Sequence, residues 1–492
     1  GCSDTTVSTQ SMCKTILQHD ANKNHHCAIV AGGKLKCWGG WPHGDGTTNG
    51  ANEPPTATVD LGTGRTAKQI SLGFSFTCAI LDDDTLKCWG ENGKGQLGVG
   101  SWDEKLTPQS VNLGTGKTAK QVSAGYQHTC AILNDDTLKC WGNGQNHRLG
   151  MCGDDYYCST SNINAPSSDT VDTGQTVKQV SAGYGHTCAI LNDNTMKCWG
   201  LNQKGQAGRG HTIQAPLCSS TGAYCSGTTG SIDLGSDCGG TCTAKQVACG
   251  GLHTCAILNN DKIKCWGDNV HGQLGLGTPS YQKETAADEF VNLGSGRTAK
   301  QVVAGAEYTC AILDDDTVKC WGNGVKGQLG IGSNIYSKNT PQSVNLGTGK
   351  TALHITAGGL DYNYGDYDTT CAILNDNTLK CWGSNNNGQL GQGDYIDRNT
   401  PTAVTTNLDT ASWTSRTLSH EYGDETADTG GTSQVRSVAT CTNSIPAAKR
   451  FERTWSALTW TQRDWTAGTW STGTWNSNLA SPYTYGPKTA NT

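Results

Sequence analysis

The chain has 492 residues, a net charge of −6, 24 cysteines, 65 glycines and 15 tryptophans. A mildly acidic balance without clustered Lys and Arg argues against nucleic acid as the main partner, since phosphate contacts need concentrated positive charge. No run approaches the roughly eighteen apolar residues of a spanning helix, so membrane insertion is not expected.

The chain opens on Gly1-Cys2, with neither Met nor an apolar leader, which fits a mature protein whose signal peptide has been removed. Residues 1–13 are read as an N-terminal segment. From 14 to 405 one phrase recurs seven times: an apolar run opened by Cys, a short polar turn, and a second run closed by Cys-Trp-Gly. The cysteines fall at Cys27 and Cys37, Cys78 and Cys88, Cys130 and Cys140, Cys188 and Cys198, Cys255 and Cys265, Cys310 and Cys320, and Cys371 and Cys381, always ten positions apart. Successive first cysteines are 51, 52, 58, 67, 55 and 61 residues apart. That period suits radially arrayed sheet units and is too long for most helical solenoids.

Within one copy, Thr77 to Leu81 is β-branched or apolar, Asp82-Asp83-Asp84 supplies turn formers, and Thr85 to Trp89 alternates in polarity. Together these predict a β-hairpin. Pairing about the turn sets Cys78 opposite Cys88, with Cβ atoms about 4.5 to 5.5 Å apart, near the distance a disulfide needs. Each bridge closes a loop of eleven residues, worth roughly 2 to 3 kcal/mol by the chain-entropy model. A strand signal precedes each hairpin, as in Ala119-Lys-Gln-Val-Ser-Ala-Gly125. Gly-Gln-Leu-Gly turns follow at 95–98, 272–275, 327–330 and 388–391, and Val-Asn-Leu-Gly at 111–114, 291–294 and 344–347 reads as a fourth strand. Four strands per repeat predict an all-β, seven-bladed β-propeller with one hairpin disulfide per blade.

The phrase Ala-Gly-Tyr-Gln-His-Thr-Cys-Ala-Ile-Leu at 124–133, followed by Trp-Gly and elsewhere by Gly-Gln-Leu-Gly, resembles the regulator of chromosome condensation family of seven-bladed propellers, over residues 14 to 405. The resemblance implies the fold. The family's nuclear founder exchanges nucleotide on the small GTPase Ran and binds nucleosomes, and nothing beyond the blade signature carries those activities to this chain.

Cysteine usage points to an oxidising setting, so a secreted, extracellular or cell-surface location is expected. Ten cysteines lie outside the hairpins. Cys152 with Cys158 and Cys218 with Cys225 are spaced to close small loops in enlarged insertions. Cys238, Cys242 and Cys249 form a local group in which two are expected to pair, and Cys2, Cys13 and Cys441 are placed to join the ends of the ring. A zinc reading of Cys238, Cys242, Cys249 and His253 competes with disulfides, which an oxidised chain favours.

His25, His128, His186 and His253 share one repeat position with Phe76, Tyr308 and Thr369. A position accepting those four residue types reads as strand packing, so no metal is assigned. The acidic turns invite calcium, yet they lack a calcium loop's ligand ladder, and Asn and Asp suit hairpin turns. No nucleophile elbow, metalloprotease motif or phosphate loop appears; no enzyme activity and no cofactor are expected.

Residues 406–492 leave the blade phrase. Trp455, Trp460, Trp465, Trp470 and Trp475 recur there every five residues among Thr, Ser and Gly. Read as an extended arm, this stretch gains its order only by burying indoles, each about 150 to 250 Å², in a groove. The expectation drawn is a structural subunit that self-assembles through this arm into a filament or surface appendage. The alternative is a monomeric propeller recognising a protein or a glycan through its loop face, with the insertions near 143–170 and 201–243 as contact surface. No Asn-x-Ser/Thr sequon is present; the Ser and Thr of the tail offer O-linked acceptors.

Overall fold

The computed structural model describes residues 16–150, 161–212, 232–277, 282–286, 289–359, 368–404 and 407–408, and the backbone of four short strands beyond 410. Each repeat folds as one antiparallel sheet of contiguous chain. In the second, the inner strand Ala67–Gly73 pairs with Phe76–Leu81, that strand with Leu86–Gly90, and that in turn with the outer strand Lys105–Ser110. Seven such sheets follow one another from Ile16 to Ala403, a seven-bladed propeller. Blades 2, 5, 6 and 7 have four strands. Blades 1, 3 and 4 have three among the described residues, with the single bridges Gly39↔Ala51 and Gly142↔Ile163 marking where the outer edge of blades 1 and 3 begins.

The outer strand is not where the sequence suggested. Lys105–Ser110 and Ile335–Val344 pair with the third strand, and of the Val-Asn-Leu-Gly phrase only the leading Val reaches it: Val344 pairs with Val318, and the Val111 amide donates to the Leu86 carbonyl at 2.9 Å. Val111 and Leu113 instead turn inward between blades, next to Trp141. Alternating Val and Leu satisfy a buried crossing as readily as a strand face.

The hairpin turns follow from their residues. Asp84, Asp136, Asn194, Asp261, Asp316 and Asn377 close them at φ between 61° and 65°, a left-handed conformation that Asp and Asn tolerate. Asp83 accepts the Thr85 amide at 3.1 Å and its hydroxyl at 2.6 Å, while Lys68 pairs with Asp84 at 2.6 Å. The same arrangement recurs at Asp315 and Thr317 with Lys300 and Asp316. These carboxylates are thus committed within their own blades.

In every hairpin the two cysteines are register partners bonded through sulfur, with Cα atoms 4.1 Å apart. The pairs are Cys27 with Cys37, Cys78 with Cys88, Cys130 with Cys140, Cys188 with Cys198, Cys255 with Cys265, Cys310 with Cys320 and Cys371 with Cys381. Side chains of successive strand residues point to opposite faces, so each Cys-Trp pair sends its disulfide to one side of the blade and its indole to the other. The seven interblade cores are built from that alternation. Cys27 and Cys37 pack with Trp89, Cys78 and Cys88 with Trp141, Cys130 and Cys140 with Trp199, and Cys188 and Cys198 with Trp266. Cys255 and Cys265 pack with Trp321, Cys310 and Cys320 with Trp382, and Cys371 and Cys381 with Trp38. The Gly-Gln-Leu-Gly turn of one blade lies over the indole of the next: Trp141 Nε1 donates to the Gln96 carbonyl at 3.1 Å, and a Cβ on Gly98 would stand 2.4 Å from that nitrogen. Trp89 Nε1 has no such bond, and blade 1 carries Pro42-His43-Gly44 at the place of Gln-Leu-Gly.

The ring closes without a borrowed strand among the described residues. Trp38 Nε1 donates to the Gln389 carbonyl at 3.0 Å, and Gln389 Nε2 to the Lys23 carbonyl at 3.1 Å. Cys2, Cys13, Cys152, Cys158, Cys218, Cys225 and Cys441 lie outside the described residues, as do Trp455, Trp460 and Trp475. Cys238 is bonded to Cys242, and Cys249 is a free, buried thiol pushed up to about 12 by desolvation.

Beyond residue 410, a separate unit, Leu418–Tyr422 pairs antiparallel with Val435–Ala439, and Trp465–Thr466 with Thr469–Trp470. Trp465 and Trp470 are register partners. A five-residue period is thus compatible with backbone register pairing across a tight hairpin.

Two belts of side-chain hydrogen bonds tie the blades together around the axis. In the first, a glutamine on each of six inner strands clasps the neighbouring strand at both poles. Gln121 donates to the Val180 carbonyl at 3.1 Å and accepts the Val180 amide at 3.1 Å, a pattern that runs from Gln18 to Gln301. This satisfies groups that a sheet edge would otherwise leave unpaired. In the second, His128, His186 and His253 reach Thr187, Thr254 and Thr309 of the next blade at 2.9 Å. Each of those hydroxyls donates to a backbone carbonyl, so the histidine Nε2–H must donate to it, and Nδ1 stays bare and buried. Burial pushes His25 and His186 down to about 3, His253 to about 4 and His128 well below the ordinary value.

The ring is therefore acid-sensitive. Below pH 6.5 the unfolded chain binds protons that the folded imidazoles refuse until about pH 3 to 4, so stability is full above 6.5 and falls as pH drops through that window. Each histidine contributes about 1.4 kcal/mol per pH unit; the Asp20 carboxyl, pushed up to about 7 by burial, opposes the trend as a single group. His128→Phe, which copies Phe76 of blade 2, should flatten the pH dependence by one histidine's share in denaturant titrations between pH 7 and 4. An unchanged slope contradicts the assignment.

Candidate functional site

The strand order puts the hairpin turns on one face of the ring. The turns after the inner strands and the connections after Cys-Trp-Gly lie on the other. The hairpin-turn face largely repeats itself, with ion pairs such as Lys120–Asp136, Lys245–Asp261 and Arg297–Asp314 formed inside single blades. The opposite face is irregular. It carries the start of the connections after Gly142 and Gly200 and the ends of the inner turn of blade 7 at Gly358 and Thr369.

Around the axis on that irregular face, the second residue of the turn after each inner strand, preceded by glycine in blades 2 to 7 and by Asn22 in blade 1, varies from blade to blade. Phe74, Tyr126 and Tyr184 occupy it in blades 2 to 4, Gly251 and Ala306 in blades 5 and 6, and Lys23 in blade 1. The three rings form a continuous arc, Phe74 to Tyr126 at 4.6 Å and Tyr126 to Tyr184 at 4.5 Å between centroids, and the Lys23 ammonium stands 5.4 Å over Phe74. Arg148 replaces the motif glutamine of blade 3. It is buried, donates to the Tyr184 carbonyl at 3.1 Å, and is lowered to about 10 by desolvation, so it stays a cation at neutral pH.

The other half of the mouth carries carboxylates paired with basic side chains. Glu307 accepts from Asn323 at 2.8 Å and meets His271 at 3.3 Å, and its hydrogen bond raises that imidazole's pKa. Desolvation raises the Asp268 carboxyl, which pairs with Lys204 at 3.3 Å. Tyr336, largely exposed, stacks on His271 at 5.1 Å. An aromatic arc with a cationic end thus faces a carboxylate-bearing rim, an arrangement suited to an extended ligand carrying both charges.

Of the residues singled out from sequence, the fourteen hairpin cysteines lie in the interblade cores, away from this mouth. Trp465 and Trp470 belong to the separate C-terminal unit. The aromatic arc was not singled out. Its signal is the substitution pattern at one turn position, visible only when the repeats are aligned on the glycine before it.

Residues 3–360 match the family described as an RCC1-like domain, and residues 364–389 and 377–420 each match a regulator of chromosome condensation (RCC1) repeat. The chain belongs to the RCC1-like family. This RCC1-like chain is 29% identical to the ultraviolet-B receptor UVR8 of Arabidopsis thaliana over 304 residues, 61% of its own length and 62% of that protein. To the E3 ubiquitin-protein ligase HERC2 of Homo sapiens it is 25% identical over 342 residues, 68% of its own length and 6% of that protein. It spans less than two thirds of either relative. Among solved structures, human WBSCR16 superposes with a TM-score of 0.59 at 22% identity, covering 75% of this chain and 89% of that one. Yeast RCC1 (Prp20), solved bound to Kap60, gives 0.57 at 19%, covering 70% and 78%. Both likenesses speak to the fold.

Proposed function

We propose that this RCC1-like protein is a secreted, non-enzymatic recognition propeller that holds a polypeptide partner on its irregular face. The observation that carries the reading is the aromatic arc Phe74–Tyr126–Tyr184 between the Lys23 cation and the Glu307–Asp268 rim. Stacked aromatics supply rigid apolar contact at low entropic cost, and flanking charges of opposite sign set the orientation of a chain laid across them. Secretion is supported by a bonded cysteine pair in every blade, a state that persists in oxidising surroundings. Capture from the native milieu with the intact protein and with Phe74→Ala/Tyr126→Ala/Tyr184→Ala tests the reading. Retention of the partner should fall by about tenfold or more in the variant while its denaturation midpoint stays close to that of the parent. Equal retention contradicts it.

A second reading, self-assembly into a filament through the C-terminal arm, is favoured by the register pairing of Trp465 with Trp470 in a chain otherwise rich in Thr, Ser and Gly. Such a hairpin is too short to stand alone in water and calls for a surface to cover it. Truncation after Lys449 should then convert polymers into a folded monomeric ring in sedimentation. Polymers that survive truncation, or an intact chain that sediments as a 51.8 kDa monomer at every concentration, exclude it.

A further inference from the structure

Blade 1 departs from the repeat at two buried positions, and both departures point at the same place. His19 stands where the other inner strands carry Ile70, Val122, Val180, Val247, Val302 and Ile355. His26 stands where the other second strands carry Thr77, Thr129, Thr187, Thr254, Thr309 and Thr370. At the junction that closes the ring, these two imidazoles meet the Cys371–Cys381 disulfide of blade 7. One donor atom from each of His19, His26, Cys371 and Cys381 lies within 4.8 Å of all the others, and all four residues are buried.

The imidazoles are already oriented. His19 Nδ1 is hydrogen-bonded to Thr356 Oγ1 at 3.0 Å, leaving His19 Nε2 buried and without a partner. His26 Nε2 is bonded to Thr369 Oγ1 at 2.9 Å, and His26 Nδ1 lies 3.4 Å from Cys371 Sγ. Each ring therefore has one nitrogen held by a threonine of blade 7, as metal-ligating histidines commonly have, and a second nitrogen outside that bond: His19 Nε2 without a partner and His26 Nδ1 beside Cys371 Sγ. The rings sit 5.2 Å apart, with Trp38 alongside both. His19 Nε2, buried with no partner, leaves polar capacity at this junction unused.

We propose that reduction of the Cys371–Cys381 disulfide turns this junction into a zinc site of His19, His26, Cys371 and Cys381, so that the ring closure is latched by sulfur in oxidising surroundings and by metal in reducing ones. A dithiol reductant supplies two electrons and two protons: the sulfur–sulfur bond breaks, two cysteine thiols form, and the reductant closes its own disulfide. Zn²⁺ then displaces the two thiol protons to solvent. Two thiolates cancel the ion's charge, which suits a desolvated site. Zinc with two Cys and two His takes tetrahedral bonds of about 2.3 Å to sulfur and 2.0 to 2.1 Å to nitrogen, so its ligand atoms stand roughly 3.3 to 3.8 Å apart. Parting the sulfurs and drawing the imidazoles in by about an ångström meets that geometry.

The test uses the full chain, reduced anaerobically with a phosphine, which leaves no competing thiol for the metal, and titrated with Co²⁺ and then Zn²⁺, against His19→Ile/His26→Thr. That variant restores the residues of the other blades and is built to fold. The native chain should bind one more equivalent of Co²⁺ than the variant, with the visible absorption of a tetrahedral thiolate site. Metal should slow alkylation of Cys371 and Cys381, read by peptide mass spectrometry, by about tenfold or more relative to the six other hairpin pairs. Equal alkylation of all seven pairs with metal present, including in a chain that opens on reduction, overturns the proposal; so does equal protection in the variant.

Discussion

The structure depends on the Cys-Trp dipeptide and on the alternation of a β-strand. Because neighbouring side chains leave opposite faces, each third strand delivers a disulfide to one interblade core and an indole to the preceding one, and seven repetitions make seven equivalent junctions. The indole is then capped by the neighbour's Gly-Gln-Leu-Gly turn, whose last glycine is required twice over: by its left-handed φ, 72° at Gly98, and by the lack of room for a Cβ. A blade that is modest in apolar content is thereby held by a crosslink inside and an interlock outside. The ends of the chain are joined by the same means, with Trp38 under Gly391.

Regularity belongs to the core and to one face, and irregularity is concentrated at the other. The hairpin turns are nearly copies, each carboxylate answered within its own blade. At the axis the belts of Gln, His and Thr are also repetitive, with exceptions that mark particular junctions. His354 takes the glutamine's place in blade 7, Phe76 and Tyr308 replace histidine, and Thr369 with His26 inverts the histidine–threonine pair where the ring closes. Only the irregular face changes character from blade to blade, with aromatic rings on one side of the mouth and carboxylates paired with basic side chains on the other. A scaffold stiffened this way presents that face as a preformed surface, which lowers the ordering cost of binding.

Much of this was legible in the sequence because it is local. Seven hairpins, their turns and the facing cysteines follow from residues within eleven positions of one another. What was missed depends on which blades become neighbours. The Gln18-to-Gln301 clasps join strands more than fifty residues apart, and Val111-Asn-Leu-Gly114 reads as a strand until its side chains are seen between two blades. His19 and His26 were hidden for a different reason. Attention to what the copies share passes over a residue that only one copy has, and the meeting of blade 1 with blade 7 brings together positions 345 residues apart in sequence.

Disulfide mapping of native protein, by peptide mass spectrometry without reduction, tests the central claim most directly. Seven bonded pairs, each spanning ten positions from Cys27–Cys37 to Cys371–Cys381, together with Cys238–Cys242 and a free Cys249, are the predicted result. Free thiols at the seven hairpins, or bonds that cross between hairpins, would contradict it.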